Sequence, residues 1–470
     1  MYSLLFTLLA VAGLAHSQIN LTSCSSTDLA CIENRTRADQ ALIELPNFVT
    51  YPIQNDPFYA TPANITDAKP GQILKVERRS NVSAYDIPPG QSLSRIMYAS
   101  VDNFGDIVPA TAAVLWPFTP KSFNGSSGYP LVAWAHGTSG IDRQCAVSNL
   151  RNLQYDFRSV FTLANLGYAV VMTDYVGLGS DNFFNYLAYK LHANDVVYSV
   201  VAAQSAFSQL SSEWVSFGHS EGGGVAWAVG ERQATDPVPG FLGSIAAAPP
   251  PRQIDTTSPV GNSVFTAFLS FTISHLYGLD LSAIFRPVPL QALQLVQSIG
   301  GCNDAGYAAF ATFNATDIYT NTSWPMSQAA IDFVNDYAVS GRPLGGPLLI
   351  LQGSADTVVG TVGAAAGFNA TCAVSGNTSV EYVSVVDMDH NPSMYASQRL
   401  WMQWIEDRFS HVPLRGGCRT SELSSAFAGD VQLAERFVVG YTKPWITIFS
   451  STFLPSYLWA SDLGFVQGGS

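Results

Sequence analysis

The residues with the clearest potential for chemistry lie within positions 215–224, where an apolar run leads to Gly218, Ser220 and Gly222 in a G-x-S-x-G pattern. In such a turn from strand to helix the serine backbone is strained, and the positions two before and two after it must be nearly free of side-chain atoms. The two glycines meet that need. The pattern predicts that the Ser220 hydroxyl projects from the edge of a sheet as a nucleophile.

A serine nucleophile needs a base and an acid, and without them Ser220 reads as an ordinary turn serine, because so short a motif also arises by chance. Asp356 follows the apolar run 348–351, and His390 follows the apolar run 380–386. A carboxylate on a loop beyond a strand end can orient an imidazole and stabilise the imidazolium that forms when the base takes the serine proton. The chain order Ser, Asp, His is that of the α/β-hydrolases.

Other residues compete for these two roles. Asp387 and Asp389 are nearer to His390 in sequence, but a neighbour on the same loop rarely points at the ring, so Asp356 is preferred. The remaining histidines have other expected places. His16 leaves with a signal peptide, and His192 and His275 pack within apolar helices. His219 points away from Ser220, and His411 follows the last core helix.

An oxyanion hole completes the predicted site, because acyl transfer places negative charge on the former carbonyl oxygen and backbone N–H groups must face it. One donor is expected from Glu221, the residue after the nucleophile. The second is expected from Thr138, on the loop that follows the apolar run 131–135. A simple tight turn at His136 and Gly137 is the alternative interpretation of that loop.

The elements that must position these residues alternate between strands and helices. Continuous apolar runs at 131–135, 168–172, 241–247 and 347–351, separated by helical patterns such as 150–166 and 193–210, indicate a parallel sheet covered on both faces. Apolar and polar residues alternate in two runs, 95–101 and 110–116. This pattern predicts an antiparallel pair of strands at the start of the sheet. The fold class is α/β.

An apolar and helical insertion of some ninety residues follows a triple proline at 249–251. It lies between two strands of the predicted sheet, so a cap over the strand ends is favoured, with a purely structural helical subdomain as the alternative. Apolar residues of this insertion would line an acyl site, although as one helix face they could equally form the core of the cap: Phe265, Phe268, Leu269 and Phe271.

The composition of the chain argues against several classes of binding partner. The net charge of -13 and the pI near 4.8 disfavour nucleic acid and anionic membranes, which repel acidic surfaces. No C-x-x-C pair, H-E-x-x-H motif or G-x-x-x-x-G-K motif occurs, so neither a metal site nor a nucleotide site has support. No stable membrane insertion is expected.

The amino terminus predicts secretion. Residues 1–17 form an apolar run that ends in small residues, with cleavage expected after Ser17, and the run is shorter than the roughly 20 residues that span a bilayer. Six cysteines suit an oxidising compartment, where N-glycans would solubilise a surface with few charges. The N-glycosylation candidates are Asn20, Asn34, Asn64, Asn81, Asn124, Asn314, Asn321, Asn369 and Asn377.

Taken together, several motifs resemble the fungal secretory lipase family, the lipase-A type of α/β-hydrolase. The matching segments are 134–140, 167–171, Asp174 and Tyr175 with 177–179, 218–223, 353–356 and 389–390. The resemblance covers residues 95–410. It implies an α/β-hydrolase fold with a mostly parallel sheet, an inserted helical cap, or lid, over an acyl-binding tunnel, and hydrolysis of triacylglycerol or other carboxylic esters at an oil–water interface without a cofactor.

The resemblance also implies disulfides equivalent to Cys145–Cys302 and Cys372–Cys418, which leaves Cys24–Cys31. The cysteine count alone would allow 15 pairings. The sequence departs from the family at Glu221, where glutamine is more usual. That change leaves the backbone donor intact but places a local charge beside the nucleophile.

The resulting hypothesis is a secreted serine hydrolase of lipid esters. A secreted esterase for short-chain, plant or carbohydrate esters, a serine peptidase of the same fold, and a non-catalytic binding protein are the alternatives. The predicted division of the chain is a signal peptide (1–17), an extended N-terminal segment (18–93), a first core part (94–248), a helical cap (249–345), a second core part (346–412) and an aromatic-rich tail (413–470).

Overall fold

The computed structural model describes residues 24–123, 128–154, 159–261, 263–427, 429–433, 439–443 and 446–450. The predicted signal peptide, the sequons at Asn20 and Asn124, and most of the aromatic stretch 437–465 lie outside these residues. Within the described part of the chain, no helix has the length and apolar character needed to cross a membrane.

The strands of the described residues are β1 (Ile73–Glu77), β2 (Ser92–Val101), β3 (Ile107–Trp116), β4 (Tyr129–Ala135), β5 (Ala169–Thr173), β6 (Leu210–His219), β7 (Phe241–Ala247), β8 (Leu348–Gly353), β9 (Val380–Val385), β10 (Cys418–Leu423), β11 (Val439–Lys443) and β12 (Ile446–Ser450). The first ten form one sheet in the order β1-β2-β3-β5-β4-β6-β7-β8-β9-β10, and the last two pair with each other.

The main sheet is antiparallel at one end and parallel elsewhere. Strands β1, β2 and β3 pair antiparallel, and β3 joins β5 in the same sense. From β5 through β4, β6, β7, β8 and β9 to β10 every pairing is parallel. All five residues of β5 are buried, because helices cover the sheet, so its apolar run needs no alternation. The predicted α/β fold is confirmed.

The α-helices of the described residues are α1 (Leu29–Asp39), α2 (Val160–Asn165), α3 (Tyr189–Ala206), α4 (Glu221–Thr235), α5 (Val264–Tyr277), α6 (Leu281–Ile284), α7 (Pro287–Ser298), α8 (Asn303–Phe310), α9 (Ala315–Ile318), α10 (Gln328–Tyr337), α11 (Thr361–Cys372), α12 (Pro392–Ala396) and α13 (Gln398–Phe409), besides a three-residue turn at Leu45–Asn47. Short 3-10 turns occupy Ile53–Asn55, Pro57–Tyr59, Ile65–Asp67, Val82–Ala84, Arg143–Cys145, Val147–Asn149 and Trp324–Met326.

Helices α5 to α10 lie between β7 and β8, at the position of the predicted insertion. Helix α5 shows why this apolar segment is helical. The Ser263 side chain accepts a hydrogen bond from the Phe265 N–H at its start, and Gly278, with φ 70°, ends it in the left-handed conformation that glycine adopts without steric cost. The domain boundaries themselves stay a prediction.

Three parts of the chain differ from the predictions. The segment 18–93 is not simply extended, because its described part contains α1 and contributes β1 to the sheet. The predicted tail contributes β10, which pairs with β9, so the sheet continues beyond residue 412. Of the predicted helix 150–166 only α2 is helical among the described residues. In each case contacts with distant parts of the chain override a weak local pattern.

A buried carboxyl group holds the N-terminal segment against the cap, that is, against helices α5 to α10. Helix α1 continues through a π-helical turn, Gln40–Glu44, and packs on α7 and α8. The Glu44 carboxylate accepts hydrogen bonds from the N–H groups of Cys302 and Ala305 at the start of α8, at 3.0 and 2.8 Å. Cys302 is bonded to Cys145. The structure also contains the bonds Cys24–Cys31 and Cys372–Cys418, the pairing that the resemblance implied.

Two buried carboxyl groups, Glu44 and Asp304, predict that the free energy of unfolding falls as the pH rises. Burial, followed by repulsion from Asp304, raises the pKa of Glu44 from 4.5 to about 8, and burial raises that of Asp304 to about 7. A carboxyl whose pKa is raised on folding stabilises the protein below its unfolded pKa and loses that contribution as the pH approaches its folded pKa. We expect the melting temperature to decline between pH 5 and pH 9.

The variant Glu44→Gln keeps an oxygen acceptor for the two N–H groups of α8 but cannot ionise. It should remove roughly half or more of that decline, measured by calorimetry or circular dichroism, since each unit of pKa shift corresponds to about 1.4 kcal/mol. Glu33→Gln on α1 is the matched control and should follow the wild type. A wild-type melting temperature that stays constant or rises over this pH range would contradict the prediction.

Candidate active site

Ser220 occupies the turn between β6 and α4. Its φ of 61° and ψ of -124° are rare for a residue with a side chain and mark a strained backbone. A Cβ atom added to Gly218 would overlap the Gly222 carbonyl, and one added to Gly222 would overlap the Ala135 carbonyl at the end of β4. The two glycines thus allow three backbone segments to meet beneath the serine.

The predicted acid and the predicted base are in contact. The Nδ1 atom of His390 lies 2.9 Å from Oδ2 of Asp356, and the Asp356 side chain is fully buried. The same oxygen accepts a hydrogen bond from the Gln352 side-chain amide at 2.9 Å. The other oxygen accepts the backbone N–H groups of Val358 and Val359 at 2.9 and 2.8 Å. This carboxylate therefore has a fixed orientation toward the imidazole.

Ser220 and His390 lie at the same edge of the sheet. The ring of His219, the last residue of β6, lies 4.6 Å from the ring of His390, and its Nε2 atom is 3.3 Å from the His390 carbonyl oxygen. His390 is 7% exposed, and Ser220 is partly exposed. Among the described residues the Ser220 hydroxyl makes no hydrogen bond with the imidazole, so the structure joins the acid to the base but not the base to the serine.

Asp389 connects the loops that carry the acid and the base. Its Oδ1 atom accepts hydrogen bonds from the backbone N–H groups of Thr357, at 2.8 Å, and His390, at 2.7 Å. Those bonds outweigh partial burial and lower its pKa, which keeps the carboxylate ionised. The sequence marked Asp389 only as a competing acid. Its position directly before His390 was the available signal for a bracing role.

The loop after β4, which carries Thr138, is attached to the cap. The Thr138 carbonyl accepts the side-chain amides of Gln154, at 2.8 Å, and Asn303, the first residue of α8. The Asn303 N–H donates to the Ser139 carbonyl at 3.1 Å, and Gly140 forms an isolated bridge with Cys302. Sequence analysis missed both amides, because they lie far from residue 138 along the chain.

Each predicted oxyanion donor has a polar side chain. The Thr138 hydroxyl is 2.7 Å from the Tyr186 hydroxyl, and Glu221 is 1% exposed and begins α4. The first N–H groups of a helix have no partner within that helix, so the Glu221 N–H can donate to a ligand.

His136, on the loop before Thr138, has a structural role. Its ring contacts the Gly137 carbonyl at 2.7 Å, and burial of the ring lowers the pKa of His136 to about 4.

The predicted acyl-site residues lie on α5, and they differ in exposure. Phe268 and Leu269 are buried in the cap, at 0% and 1% exposure, and the Phe268 ring lies 6.2 Å from the Tyr186 ring. Phe265 and Phe271 are only partly buried. Phe268 is therefore separated from Thr138 by one side chain.

The other predicted histidines fall into two groups. His192 is buried, as expected, but His275 is exposed and stacks on Phe183 at 4.0 Å, which corrects its expected place in the core. It lies in the last turn of α5, where the cap meets the loop after β5. Within the described ranges, no group of His, Cys, Asp or Glu side chains could hold a metal ion.

The chain is similar to known lipases and to an esterase. The chain is 23% identical to Lipase 10 of Candida albicans over 413 residues, which are 80% of this chain and 85% of that protein. Lipase A of Candida antarctica in its closed state superposes with a TM-score of 0.64 and 16% identity, over 78% of this chain and 88% of that one. The rice cell wall degrading esterase LipA of Xanthomonas oryzae superposes with a TM-score of 0.55 and 19% identity, over 72% and 96% of the two chains. No family model matches.

A largely parallel sheet with a strained serine at its central turn and an acid–base pair at the same edge defines an α/β-hydrolase. The curated relative and the structural neighbours support the lipase-A type family that the motifs indicated, and with it a carboxylic ester hydrolase.

The bracing role of Asp389 can be tested directly. Asp389→Ala removes the acceptor that joins the acid loop to the base loop, so it should reduce kcat/KM for a soluble ester about 10- to 100-fold, because misplacement of about 1 Å has effects of this size. The matched control is Asp387→Asn on the same loop, with asparagine because the backbone there has φ 61°. Equal losses in the two variants, at unchanged melting temperature, would refute the bracing role.

Proposed function

We propose that the protein is a secreted serine hydrolase that cleaves lipid esters through Ser220, His390 and Asp356. In this mechanism His390 takes the proton of Ser220, which attacks the ester carbonyl. The N–H groups of Glu221 and Thr138 stabilise the oxyanion, and the imidazolium gives its proton to the alcohol that leaves as the ester C–O bond breaks. Water activated by the neutral imidazole then hydrolyses the acyl-enzyme and regenerates Ser220. The observation that carries the proposal is the 2.9 Å contact between His390 and the buried Asp356, beside a serine with φ 61°.

The hydrogen bonds at the site support the roles proposed for Asp356, His390 and Ser220. Asp356 is bound by three N–H groups besides the imidazole, so it is held as an acceptor that orients His390. In apo structures catalytic hydrogen bonds are often long and shorten only when substrate binds, so a serine that is not yet bonded to the imidazole is compatible with the role of nucleophile. The Ser220 hydroxyl completes the triad in the complex.

The substrate class follows from the cap and the relatives. Apolar side chains of α5, above all the partly buried Phe265 and Phe271, are proposed to contact the acyl chain, with Phe268 and Leu269 supporting them from the cap core. Two of the similar proteins are named lipases, which favours long-chain esters such as triacylglycerols, taken at an oil–water interface. An esterase for plant or carbohydrate esters is the second candidate, favoured by the similarity to a rice cell wall degrading esterase.

Secretion is part of the proposal. All six cysteines are paired in disulfides, which persist in oxidising compartments. The described glycosylation candidates are all exposed, as N-glycans require: Asn34, Asn64, Asn81, Asn314, Asn321, Asn369 and Asn377.

The triad assignment predicts a specific loss of activity. Ser220→Ala and His390→Ala should each lower kcat for p-nitrophenyl butyrate about 10⁴-fold or more, because members of a triad act as a unit. The control His411→Asn alters an exposed histidine whose imidazole is 3.1 Å from Glu213 and should leave the rate unchanged. A serine-reactive phosphonate should label the wild type and not Ser220→Ala. Substantial turnover by Ser220→Ala would exclude Ser220 as the nucleophile.

The substrate class can be decided with a panel of esters. A lipase should have a higher kcat/KM for long-chain than for acetyl or butyryl p-nitrophenyl esters, because each methylene buried in an apolar site contributes about 0.8 kcal/mol. A preference for acetyl or feruloyl esters would favour the esterase, and turnover of an aminoacyl amide would favour a peptidase. Absence of all turnover would leave a binding protein.

A further inference from the structure

The Glu221 side chain lies in the protein interior directly behind the proposed nucleophile. Its Oε1 atom accepts a hydrogen bond from the Leu187 N–H at 3.2 Å, and the same oxygen is 3.5 Å from Nδ1 of His192 on α3. The other oxygen, Oε2, is buried and has no hydrogen-bond partner among the described residues, and the Thr138 hydroxyl lies 2.7 Å from the hydroxyl of Tyr186, the residue before Leu187. The carboxyl therefore contacts the loop before α3 and α3 itself, and that loop reaches Thr138 through the Tyr186 hydroxyl.

The groups that face this carboxyl do not compensate a negative charge. His192 is its ion-pair partner by distance, but burial and the neighbouring His136 lower the pKa of His192 to about 3, so the ring is neutral. Tyr186 and Tyr189 also face the carboxyl, and burial raises the pKa of each phenol well above its usual value. Among the described residues no Lys or Arg pairs with Glu221.

The remaining titratable neighbours belong to the site itself. His219 on β6 and His390 on the loop after β9 lie near the start of α4, and the His390 imidazole is paired with Asp356 rather than with Glu221. The faces of His192 are covered by Tyr175 and Phe184, at 4.4 and 5.2 Å between ring centroids, so water has little access to that side. An ionised Glu221 would be a buried charge without a partner, which is strongly unfavourable.

We infer that Glu221 works as a neutral carboxylic acid, a positioning residue that holds the loop of Leu187, and through the Tyr186 hydroxyl also Thr138, behind the oxyanion hole, and that its ionisation switches the oxyanion hole off. This inference rests on the proposed function, since it assigns a role to a side chain whose backbone N–H is one of the two donors. The switch is electrostatic. A second negative charge beside the developing oxyanion raises the energy of the transition state far more than that of a neutral ester.

The titration range follows from the surroundings. Burial raises the pKa of Glu221 from 4.5 to about 8, and the hydrogen bond from the Leu187 N–H opposes that rise only in part. The group is protonated below about pH 8 and ionised above it. Activity that requires the neutral form is then present at neutral pH and falls as the pH rises through about 8.

The decisive measurement is the pH profile of kcat/KM from pH 6 to pH 10, with p-nitrophenyl butyrate and the full-length secreted chain. In the wild type kcat/KM should fall about 10-fold for each pH unit above pH 8, because one group must be protonated. In Glu221→Gln, which is similar in shape and cannot ionise, that decline should be absent or begin at a clearly higher pH. An alkaline decline at the same pH in both proteins would overturn the inference.

A second measurement needs no variant and covers the case in which Glu221→Gln does not fold. The inhibition constant of a trifluoromethyl ketone, which forms an anionic adduct with the serine, should rise about 10-fold from pH 8 to pH 9 in the wild type. The KM of the neutral ester should stay constant, because no charge forms on binding. An inhibition constant independent of pH in this range would also overturn the inference. Failure of the proposed function looks different, because Ser220→Ala would then retain turnover at every pH.

Discussion

The close approach of three backbone segments at the end of β6 is the constraint on which the site depends. The turn at Ser220 passes so near the end of β4 that neither Gly218 nor Gly222 has room for a methyl group, with the Ala135 carbonyl in the path of any side chain at 222. Without that approach the serine would lose its strained conformation and α4 would start elsewhere. At the start of α4 the Glu221 side chain is buried and accepts a hydrogen bond from the Leu187 N–H.

Thr138, the second proposed oxyanion donor, is positioned by a different set of contacts. Thr138 belongs to a loop that a disulfide, a backbone bridge and the Asn303 amide attach to α8 of the cap. Helix α8 is held in turn by Glu44 from the N-terminal segment. The side of the cap near α8 is thereby joined to the hydrolase core and to the amino-terminal part of the chain. The cap meets the loop after β5 through aromatic contacts instead, Phe268 with Tyr186 and His275 with Phe183.

Buried and partly buried carboxyl groups recur in this chain, and their environments separate them into two kinds. Asp356 and Asp389 accept several N–H groups each, so hydrogen bonds can support their charge. Glu44, Asp304 and Glu221 have raised pKa values, because burial outweighs the donors that reach them. The first kind accepts hydrogen bonds that orient the His390 imidazole and the adjoining loops, whereas the second kind couples stability and the proposed activity to pH.

By itself, the sequence determined the features that depend on neighbouring residues. The continuous apolar runs predicted the parallel strands, the glycine spacing predicted the turn at Ser220, and the positions of Asp356 and His390 after two strands predicted the loops that carry them. Each of these patterns is local, since strand burial and backbone sterics are set within a few residues. The family resemblance added the disulfide pairing, which spacing alone left open.

Only the tertiary structure decided which distant groups meet. The amides that hold the Thr138 carbonyl, the Gln352 amide on Asp356, the docking of α1 on the cap and the addition of β10 to the sheet all join segments far apart in the chain. The same holds for the Glu221 side chain, which the sequence marks only as a local charge beside the nucleophile. Its burial beside a neutral His192 comes from the packing of α3 against α4, and no local pattern encodes that contact.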